Sequence, residues 1–405
     1  MKNLNFNHLL VLLPPFLFTG PFLPDLLIVI FTLKKIFFCL KDKKLNELSN
    51  KYFLFFIFFC CYIFFISFFS SNFFMSLKTS FFYIRFPIFA LILSEILMDQ
   101  NIRKLMVKSI LISLVFVILD LFCQKIFGKN FFGTPPYMDH LGNIGRYGGI
   151  FGDEYILGSY ITRSLILLVS LLLTIIVLDK KYLLYLLTFS VFCLSAILVT
   201  TERTALALFL LFFSFWLFFI IGEKKKSIQL LIVFIFIIFT FISFDKVTRD
   251  RVFVEVKENI LLSDGPVIFS PGHHEHIMTA KRIFIDNPLI GVGVKGYRET
   301  CKLQKYKVSK DSCTTHPHNY LAQFLAETGM IGLLFYLAGF FHLLKVLISS
   351  VNLKNKNTAL LTSILGILIL IFPLLPSGNF FNNWLSAFLF TQIGIFLYIV
   401  RVNKK

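Results

Sequence analysis

The chain has 405 residues, of which 57% are hydrophobic and only 15% are charged. A soluble globular domain cannot bury so much apolar surface, so the composition indicates a membrane protein. The formal net charge of +18 would suit a nucleic-acid partner. The basic residues, however, cluster in short loops between long apolar segments, which is typical of membrane topology, and we expect no nucleic-acid partner.

Apolar segments of membrane-spanning length recur along the whole chain. They predict an all-α membrane protein with about twelve transmembrane helices in contact with membrane lipids. Prolines interrupt the first two segments, so a short pair of helices, one kinked helix and a re-entrant segment are all open there. The predicted spans cover residues 8–20, 22–38, 52–71, 80–98, 108–123, 156–178, 182–199, 204–221, 228–244, 320–348, 359–374 and 382–400.

Lysine and arginine residues in the short loops set the predicted orientation. They follow every second span and end the chain, so all basic loops fall on one side of the membrane. That side is expected to be the cytoplasm, with both termini in it. The residues are Lys41, Lys43, Lys44, Lys51, Arg103, Lys104, Lys108, Lys180, Lys181, Lys224, Lys225, Lys226, Lys345, Lys354, Lys356, Arg401, Lys404 and Lys405.

Two long connections, residues 124–155 and 245–319, lie on the opposite, outer face of this topology. The second is too long for a structureless connector, so we predict a partly helical, functional loop between the ninth and tenth spans. Three regions follow from it. Residues 1–244 form a transmembrane bundle of about nine spans, residues 245–319 the outer loop, and residues 320–405 about three further spans.

The outer loop is rich in histidine. His273 and His276 begin a predicted helix that ends before Pro288, and their spacing of three places them on one face, with Arg282 pointing the other way. A zinc site from these imidazoles with Cys301 or Cys313 is one interpretation. No paired Cys-x-x-Cys or His-Glu-x-x-His spacing supports it, so no metal is expected. The alternative is a polar helix lying on the membrane surface.

The loop ends in the segment Thr-His-Pro-His-Asn-Tyr at residues 315–320, which leads into an apolar helix. Asn319 suits the N-cap of that helix, and Pro317 stiffens the approach. His316 and His318 are therefore predicted to lie on a rigid turn at the rim of the bundle. They could also belong to a hydrated helix cap whose histidines are simply hydrogen-bonded.

Arginines near the outer rim are candidates for anion binding. Arg203, in Thr-Thr-Glu-Arg-Thr-Ala at residues 200–205, begins the eighth span. An arginine near hydrocarbon costs roughly 2.5–3.5 kcal/mol on insertion, so its presence needs a reason. It could reach towards the interface or pair with Glu202, or it could grip phosphate oxygens bidentately. Arg85, near the outer end of the fourth span, is a further phosphate or structural candidate.

Three ordered motifs resemble the O-antigen ligase and polymerase family, bacterial membrane enzymes that transfer lipid-linked glycans. They are the Thr-Thr-Glu-Arg segment, the Pro-Leu-Ile-Gly-Val-Gly run at residues 288–293 and the His-x-His-Asn…Glu-Thr-Gly segment at residues 316–329. Residues 146–154, with Gly158 beyond them, resemble a further family segment. Its members Arg146, Asp153 and Glu154 are site candidates, the two carboxylates as acid or base or as interfacial caps.

The resemblance implies a metal-independent glycosyltransferase without a cofactor, in the bacterial inner membrane, with its active face in the periplasm. The donor would be a polyprenyl-diphosphate-linked glycan. A ligase would pass the glycan to lipid A-core, and a polymerase would pass it to another lipid-linked glycan. His318 would be the base, His316 would orient it or the acceptor, and Arg203 would hold the donor diphosphate.

The chain departs from the family at His273, where many members carry an arginine. The role of a second diphosphate ligand could fall to Arg282, Arg298, Arg249, Arg251 or a protonated His273. Cys301 and Cys313 lie in the same loop, and a periplasmic loop permits a disulfide, which would close a small basic loop; two free thiols are the alternative.

A transporter or flippase of lipid-linked sugars is the competing class. Transporters tend to place ionisable groups near the bilayer midplane. Arg163 is the one notable charge well inside a predicted span, whereas the other candidates lie at one face. This distribution favours the transferase.

Overall fold

The structure, a computed structural model, describes residues 6–42, 51–138, 142, 144–221, 224–261, 267–351 and 357–403. Lys43, Lys44, Lys354, Lys356, Lys404 and Lys405, which contributed to the predicted orientation, lie outside the described residues, as do short parts of both outer loops. Across the described chain the fold is helical apart from one hairpin, in which β1 (Tyr137–Met138) pairs antiparallel with β2 (Ile144–Arg146). The all-α membrane class is therefore confirmed.

The helices follow one another with short connections in most of the chain. In order they are α1 (Leu13–Phe16), α2 (Phe22–Asp42), α3 (Lys51–Ile66), α4 (Phe73–Tyr83), α5 (Arg85–Ile96), α6 (Gln100–Phe127), α7 (Leu157–Leu172), α8 (Lys180–Thr200), α9 (Arg203–Ile221), α10 (Lys224–Phe244), α11 (Lys246–Arg249), α12 (Glu255–Leu261), α13 (Pro271–Asp286), α14 (Tyr297–Thr300), α15 (Tyr320–Val351), α16 (Thr358–Leu370) and α17 (Asn383–Asn403). Short 3₁₀ segments cover Phe6–Leu12, Ser67–Phe69 and Gly149–Phe151, and a π-helical turn covers Asp250–Val254.

Eight helical segments among the described residues are long and apolar enough to cross a membrane: Lys51–Phe69, Phe73–Ile96, Gln100–Phe127, Lys180–Thr200, Arg203–Ile220, Lys225–Phe244, Tyr320–Val351 and Asn383–Asn403. Three shorter apolar helices, Phe6–Phe16, Leu157–Leu172 and Thr358–Leu370, also coincide with predicted spans. With α2, every predicted span falls on a helix. The count of twelve crossings stays a prediction, because the shorter helices could reach only part of the way through a bilayer.

Buried polar side chains tie the central helices together. Gln392 of α17 donates to Ser170 Oγ of α7 (2.8 Å) and to the Ser363 carbonyl of α16 (3.1 Å). Trp216 of α9 donates to Thr362 Oγ1 of α16 at 2.9 Å. Hydrogen bonds of this kind between helices stabilise membrane bundles, where apolar contact gives no advantage over lipid. They hold α7, α9, α16 and α17 in one rigid framework.

The segment from 245 to 319 folds over one end of this framework. Where it is described, it contains α11, the π-helical turn, α12, α13 and α14. The sequence predicted the helix at residues 272–286, and α13 covers it. The periplasmic location of this loop stays a prediction.

Candidate active site

Glycines join the outer loop to the first half of α15. Gly329 has φ 63° and ψ −166°, which interrupts the helix and frees backbone groups there. The turn formed by residues 288–293 satisfies them: Val292 N donates to the Ala326 carbonyl at 3.0 Å, and Met330 N donates to the Pro288 carbonyl at 2.8 Å. A Cβ on Gly329 would lie 2.3 Å from the Leu289 carbonyl oxygen, so no other residue fits without a backbone shift. We call this contact the glycine junction.

The turn that carries His316 and His318 is fixed on its other side. Asn319 Oδ1 accepts from Ala322 N at 3.1 Å, which is the N-cap contact expected from the sequence. Its amide also donates to the Pro373 carbonyl at 3.0 Å, between α16 and α17. His318 has a positive φ of 54°, a conformation that costs a non-glycine residue energy and that occurs often at functional sites.

The first turn of α13 presents two more histidines to the same place. Ser270 is the N-cap of α13, and its Oγ lies 2.7 Å from His273 Nδ1. His276, one turn later, is buried, and its Nδ1 lies 3.1 Å from the Ser312 carbonyl oxygen. The predicted shared face of His273 and His276 thus points towards the turn before α15.

The four side chains form what we call the imidazole cluster: His273, His276, His316 and His318. His318 lies at its centre, with ring centroids 4.0 Å from His316 and 5.5 Å from both His273 and His276. The pair His273 and His276 and the pair His316 and His318 were each predicted from local spacing, but nothing in the sequence indicated that the two pairs meet. Among the described residues no group of three or more His, Cys, Asp or Glu side chains is arranged to hold a metal ion.

Burial favours the neutral form of three of these imidazoles, His273, His316 and His318. It lowers the pKa of His318 to about 3, with smaller contributions from the neighbouring imidazoles. Burial, with a contribution from the charge of Arg298, lowers the pKa of His316 to about 4. The pKa of His273 is also lowered, by burial first and then by His276 and Arg203. The neutral rings can accept protons, and any bound anion would raise their pKa values.

A tight turn at Thr201 and Glu202 precedes Arg203, the first residue of α9. Thr201 ends α8 in the left-handed conformation (φ 59°), and Glu202 then accepts from the backbone N–H groups of Gly158 (2.6 Å) and Ser159 (3.0 Å) at the start of α7. Burial of the Glu202 carboxyl raises its pKa to about 8, although these hydrogen bonds and Arg163 act in the opposite direction. Gly158, noted in the sequence, allows this close approach: a Cβ there would lie 2.6 Å from Thr200 Oγ1.

Arg203 pairs with a loop carboxylate rather than with Glu202. Its Nη2 lies 3.8 Å from Glu255 Oε2, and Arg251 Nη1 contacts the same oxygen at 2.6 Å. The charge of Arg203 also contributes to the lowered pKa of His273, so the guanidinium lies within electrostatic range of that imidazole. The interpretation in which Arg203 is neutralised by Glu202 is wrong, because Glu202 caps α7 instead.

The other arginine candidates occupy different surroundings. Arg298 of α14 lies near His316 and lines a cavity of about 360 Å³. Arg282 is exposed and donates to the Lys307 carbonyl, away from the imidazole cluster. Arg249 pairs with Asp250 at 3.5 Å. Arg251 is therefore the loop arginine that shares a partner with Arg203.

The remaining candidates lie apart from the imidazole cluster. Arg146 lies over the Tyr155 ring at 4.8 Å, and Asp153 and Glu154 are exposed. Within the described part of the chain, none of these side chains contacts the four imidazoles. Arg85 begins α5 and belongs instead to the cavity that Arg298 lines.

A disulfide joins Cys301 and Cys313, with the Cα atoms 5.2 Å apart. It fixes the basic loop, including Ser312, whose carbonyl oxygen lies beside His276. Tyr297 donates to the His276 carbonyl at 3.2 Å. The cross-link therefore helps to hold in place the backbone that contacts His276.

Sequence reasoning missed several charged residues near the site. Glu255, the partner of Arg203, lies in a polar helix with no motif to mark it. Lys295 lies two residues after Gly293, with no motif to mark it. Asp25 lies between Pro24 and an apolar segment, and a charge at such an outer helix end is the signal that could have found it. Both line the same cavity as Arg298.

A comparison with models of known protein families matches residues 188–337 to the family described as O-antigen ligase. The matched segment runs from α8 into α15 and includes Arg203, the glycine junction and the imidazole cluster. The motif-based resemblance is thereby confirmed. No curated protein matches the chain.

Proposed function

We propose, from the premise that residues 188–337 form a domain of the O-antigen ligase family, that this protein transfers a glycan from a polyprenyl-diphosphate carrier to lipid A-core. An O-antigen ligase or polymerase type of function agrees with the family match as a whole. The observation that carries the finer assignment is the convergence of Arg203 and the imidazole cluster at one end of the bundle.

The donor presents a lipid diphosphate as its leaving group, on which negative charge develops during transfer. Arg203 can hold it with two parallel hydrogen bonds and never loses its charge. Arg251 is the favoured second ligand, because it already shares the Glu255 carboxylate with Arg203. His273 takes the place of the family's arginine and would gain a proton only when the diphosphate raises its pKa.

His318 is the proposed general base for the acceptor hydroxyl. Its ring lies at the centre of the cluster and is neutral in the empty site, as a proton acceptor must be. The donor diphosphate would raise its pKa and make it a better base. His316, whose ring centroid is 4.0 Å away, would orient His318 or the acceptor. Direct attack by the acceptor would invert the anomeric centre.

Cations take the place of a divalent ion in this proposal. Developing charge on a diphosphate can be stabilised by fixed guanidinium groups in a site that excludes water. We expect transfer activity to persist in EDTA. Loss of activity that zinc or magnesium restores would instead make His273 and His276 metal ligands.

Transport is less well supported than transfer. Arg163, the charge that most favoured it, lies in the second turn of α7 and contacts Ser159 and Tyr320. Because Tyr320 begins α15, directly after the His318 turn, Arg163 lies near the candidate active site. It therefore gives no separate ion pathway at the middle of the bilayer.

The proposal places the site in the periplasm and the protein in the bacterial inner membrane. An alkaline-phosphatase fusion near Lys310 should be active, and a fusion after Lys226 should be inactive. The reverse pattern would put the imidazole cluster in the wrong compartment and end the proposal.

A lipopolysaccharide gel of a deletion strain tests the reaction itself. Core alone, with lipid-linked polymer accumulating in the membrane, is the expected result for a ligase. Core that carries one repeat unit would instead identify a polymerase, and an unchanged gel would contradict both.

A further inference from the structure

A cationic cavity is lined by Arg298, whose charge acts on His316, whereas the charge of Arg203 acts on His273. It has a volume of about 360 Å³, and its lining includes four basic side chains and one carboxylate: Lys78, Arg85, Lys295, Arg298 and Asp25. We propose that this cavity binds a phosphate group of the acceptor lipid, lipid A-core, while Arg203 holds the donor. The inference rests on the proposed function and adds a second anion site to it.

Among the described residues, one of the four cations, Arg85, has a carboxylate at ion-pair distance. Arg85 Nε lies 2.7 Å from Asp25 Oδ1, and Asn383 donates to the other oxygen of the same carboxylate at 3.0 Å. Lys78, Lys295 and Arg298 have no carboxylate at ion-pair distance among the described residues. Arg298 Nε is buried without a hydrogen-bond partner there. A cavity with unpaired positive charge is stabilised by binding an anion, and phosphate suits both lysine and arginine.

The glycine junction fixes the cavity relative to the imidazole cluster. Lys295 lies two residues after Gly293 of the junction and has a positive φ of 58°. Arg298 lies three residues further, in α14, where it lines the cavity and acts electrostatically on His316. An acceptor held by its phosphate in the cavity would therefore extend from Arg298 towards the imidazole cluster, where its hydroxyl has to be deprotonated.

An apolar groove adjoins the cavity and suits the acyl chains of the same lipid. Tyr83 lines the cavity, and its ring centroid lies 6.5 Å from those of Phe59 and Phe380. Both phenylalanines line a second cavity of about 430 Å³, which runs between α3, α15, α16 and α17. Because this groove is almost entirely apolar and reaches His342, well along α15, it offers hydrocarbon a path into the membrane part of the protein.

Binding to the purified full-length protein in nanodiscs tests the inference without requiring catalysis. The probes are lipid A with both phosphates and dephosphorylated lipid A. We expect Lys78→Gln and Lys295→Gln each to weaken binding of phosphorylated lipid A about tenfold or more, because each loses a charge-assisted contact. Binding of the dephosphorylated lipid should not change. Lys302→Gln, an exposed position of the same loop that pairs with Glu299, is the matched control.

Steady-state kinetics separate the two sites. The cavity variants should raise KM for the acceptor and leave KM for the polyprenyl-diphosphate donor unchanged, whereas Arg203 variants should do the opposite. Unchanged lipid A binding in both lysine variants would overturn the inference, even if transferase activity is present. Equal binding of phosphatidylglycerol would overturn the assignment to the acceptor. Tighter binding of undecaprenyl diphosphate at these lysines would overturn lipid A and point to polymerase chemistry.

Discussion

The two flanks of the imidazole cluster differ in how their positive charges are satisfied. On one flank, Arg203 and Arg251 share the carboxylate of Glu255. On the other flank, Lys295 and Arg298 face a cavity without a carboxylate partner of their own in the described chain. On the first flank, the carboxylate of Glu255 already takes the place of a bound anion. On the second flank, no protein carboxylate among the described residues pairs with Lys295 or Arg298.

This difference suggests how two anionic lipids could be told apart. A ligand at Arg203 has to displace Glu255, so it needs enough charge and geometry to replace a carboxylate, which a diphosphate has. A ligand at the cavity displaces no protein group and can bind through a single phosphate. His316 and His318, between the flanks, stay neutral until a bound anion raises their pKa values, so chemistry would depend on the donor being bound.

The largest effect is expected at His318, which both flanks share. His318→Ala should slow glycan transfer by roughly 10²–10⁴, the usual contribution of a general base. Donor binding should stay nearly intact, because the Arg203 flank does not use this ring. Transfer rates and donor affinity of the purified variant, measured in parallel, separate the two effects.

Near wild-type turnover of His318→Ala would show that His318 is not the general base and only precedes the N-cap residue Asn319. His316 would then inherit the role of base, because Asp153, the other candidate, is exposed and away from the cluster. His274→Ala is the matched control. This histidine lies beside His273 in α13, but its Nδ1 accepts from Ile268 N instead of joining the cluster.

The next largest effect belongs to the Arg203 flank. A charge-assisted hydrogen bond is worth roughly 1.5–3 kcal/mol, so Arg203→Ala should cost about tenfold to a few hundredfold in donor affinity or rate. Arg203→Lys keeps the charge but loses the planar fork, so it should rescue little. Donor titrations of both variants test this. Full rescue by lysine would show that only charge matters. The control Arg282→Ala, at an exposed arginine of the loop 245–319, should leave donor affinity unchanged.

Local features of this site could be read from the sequence, and long-range ones could not. The N-cap at Asn319, the helix over α13 and the shared face of His273 and His276 follow from neighbouring residues and fixed helical spacing. The meeting of α13 with the turn before α15 depends on the glycine junction, whose two halves are separated along the chain. The glycines at residues 291 and 293 could be noted in the sequence, but their contact with the helix interruption at Gly329 could not.

The same limit explains the errors in charge pairing. Glu202 is the nearest carboxylate to Arg203 in sequence, but the left-handed Thr201 turns it towards α7. Glu255 becomes the partner because the described loop folds back over α9. The cavity lysines escaped notice for the same reason, since Lys78 and Lys295 come from distant segments and share no motif.

The neutrality of the imidazoles between the flanks predicts a pH dependence of stability. In the unfolded chain each imidazole takes up a proton near pH 6.5, whereas burial lowers the pKa of His316 to about 4 and that of His318 to about 3. Between these values the unfolded state binds more protons, so stability should be constant above about pH 6.5 and fall as the pH drops below it.

Thermal unfolding of the purified protein at about pH 7.5 and about pH 4.5 measures this loss. We expect a decrease in melting temperature on the order of several degrees for the wild type. The decrease should be smaller for the double variant His316→Gln and His318→Gln, because the carboxylates contribute equally to both proteins. Equal decreases would contradict the idea that burial holds these imidazoles neutral.

The smallest effect, and the one of opposite sign, is expected from Glu255→Gln. The variant removes the carboxylate that a donor diphosphate has to displace from Arg203 and Arg251. Partly exposed ion pairs are worth about 0.2–1 kcal/mol, so donor affinity should rise by roughly up to fivefold. Glu258→Gln makes the same change of charge on an exposed face of α12 and is the matched control. If long-range charge alone were responsible, both variants would gain affinity equally. If Glu255 helped to position Arg203 for the donor, Glu255→Gln would lose affinity, and the two flanks would then differ less than their ion pairs indicate.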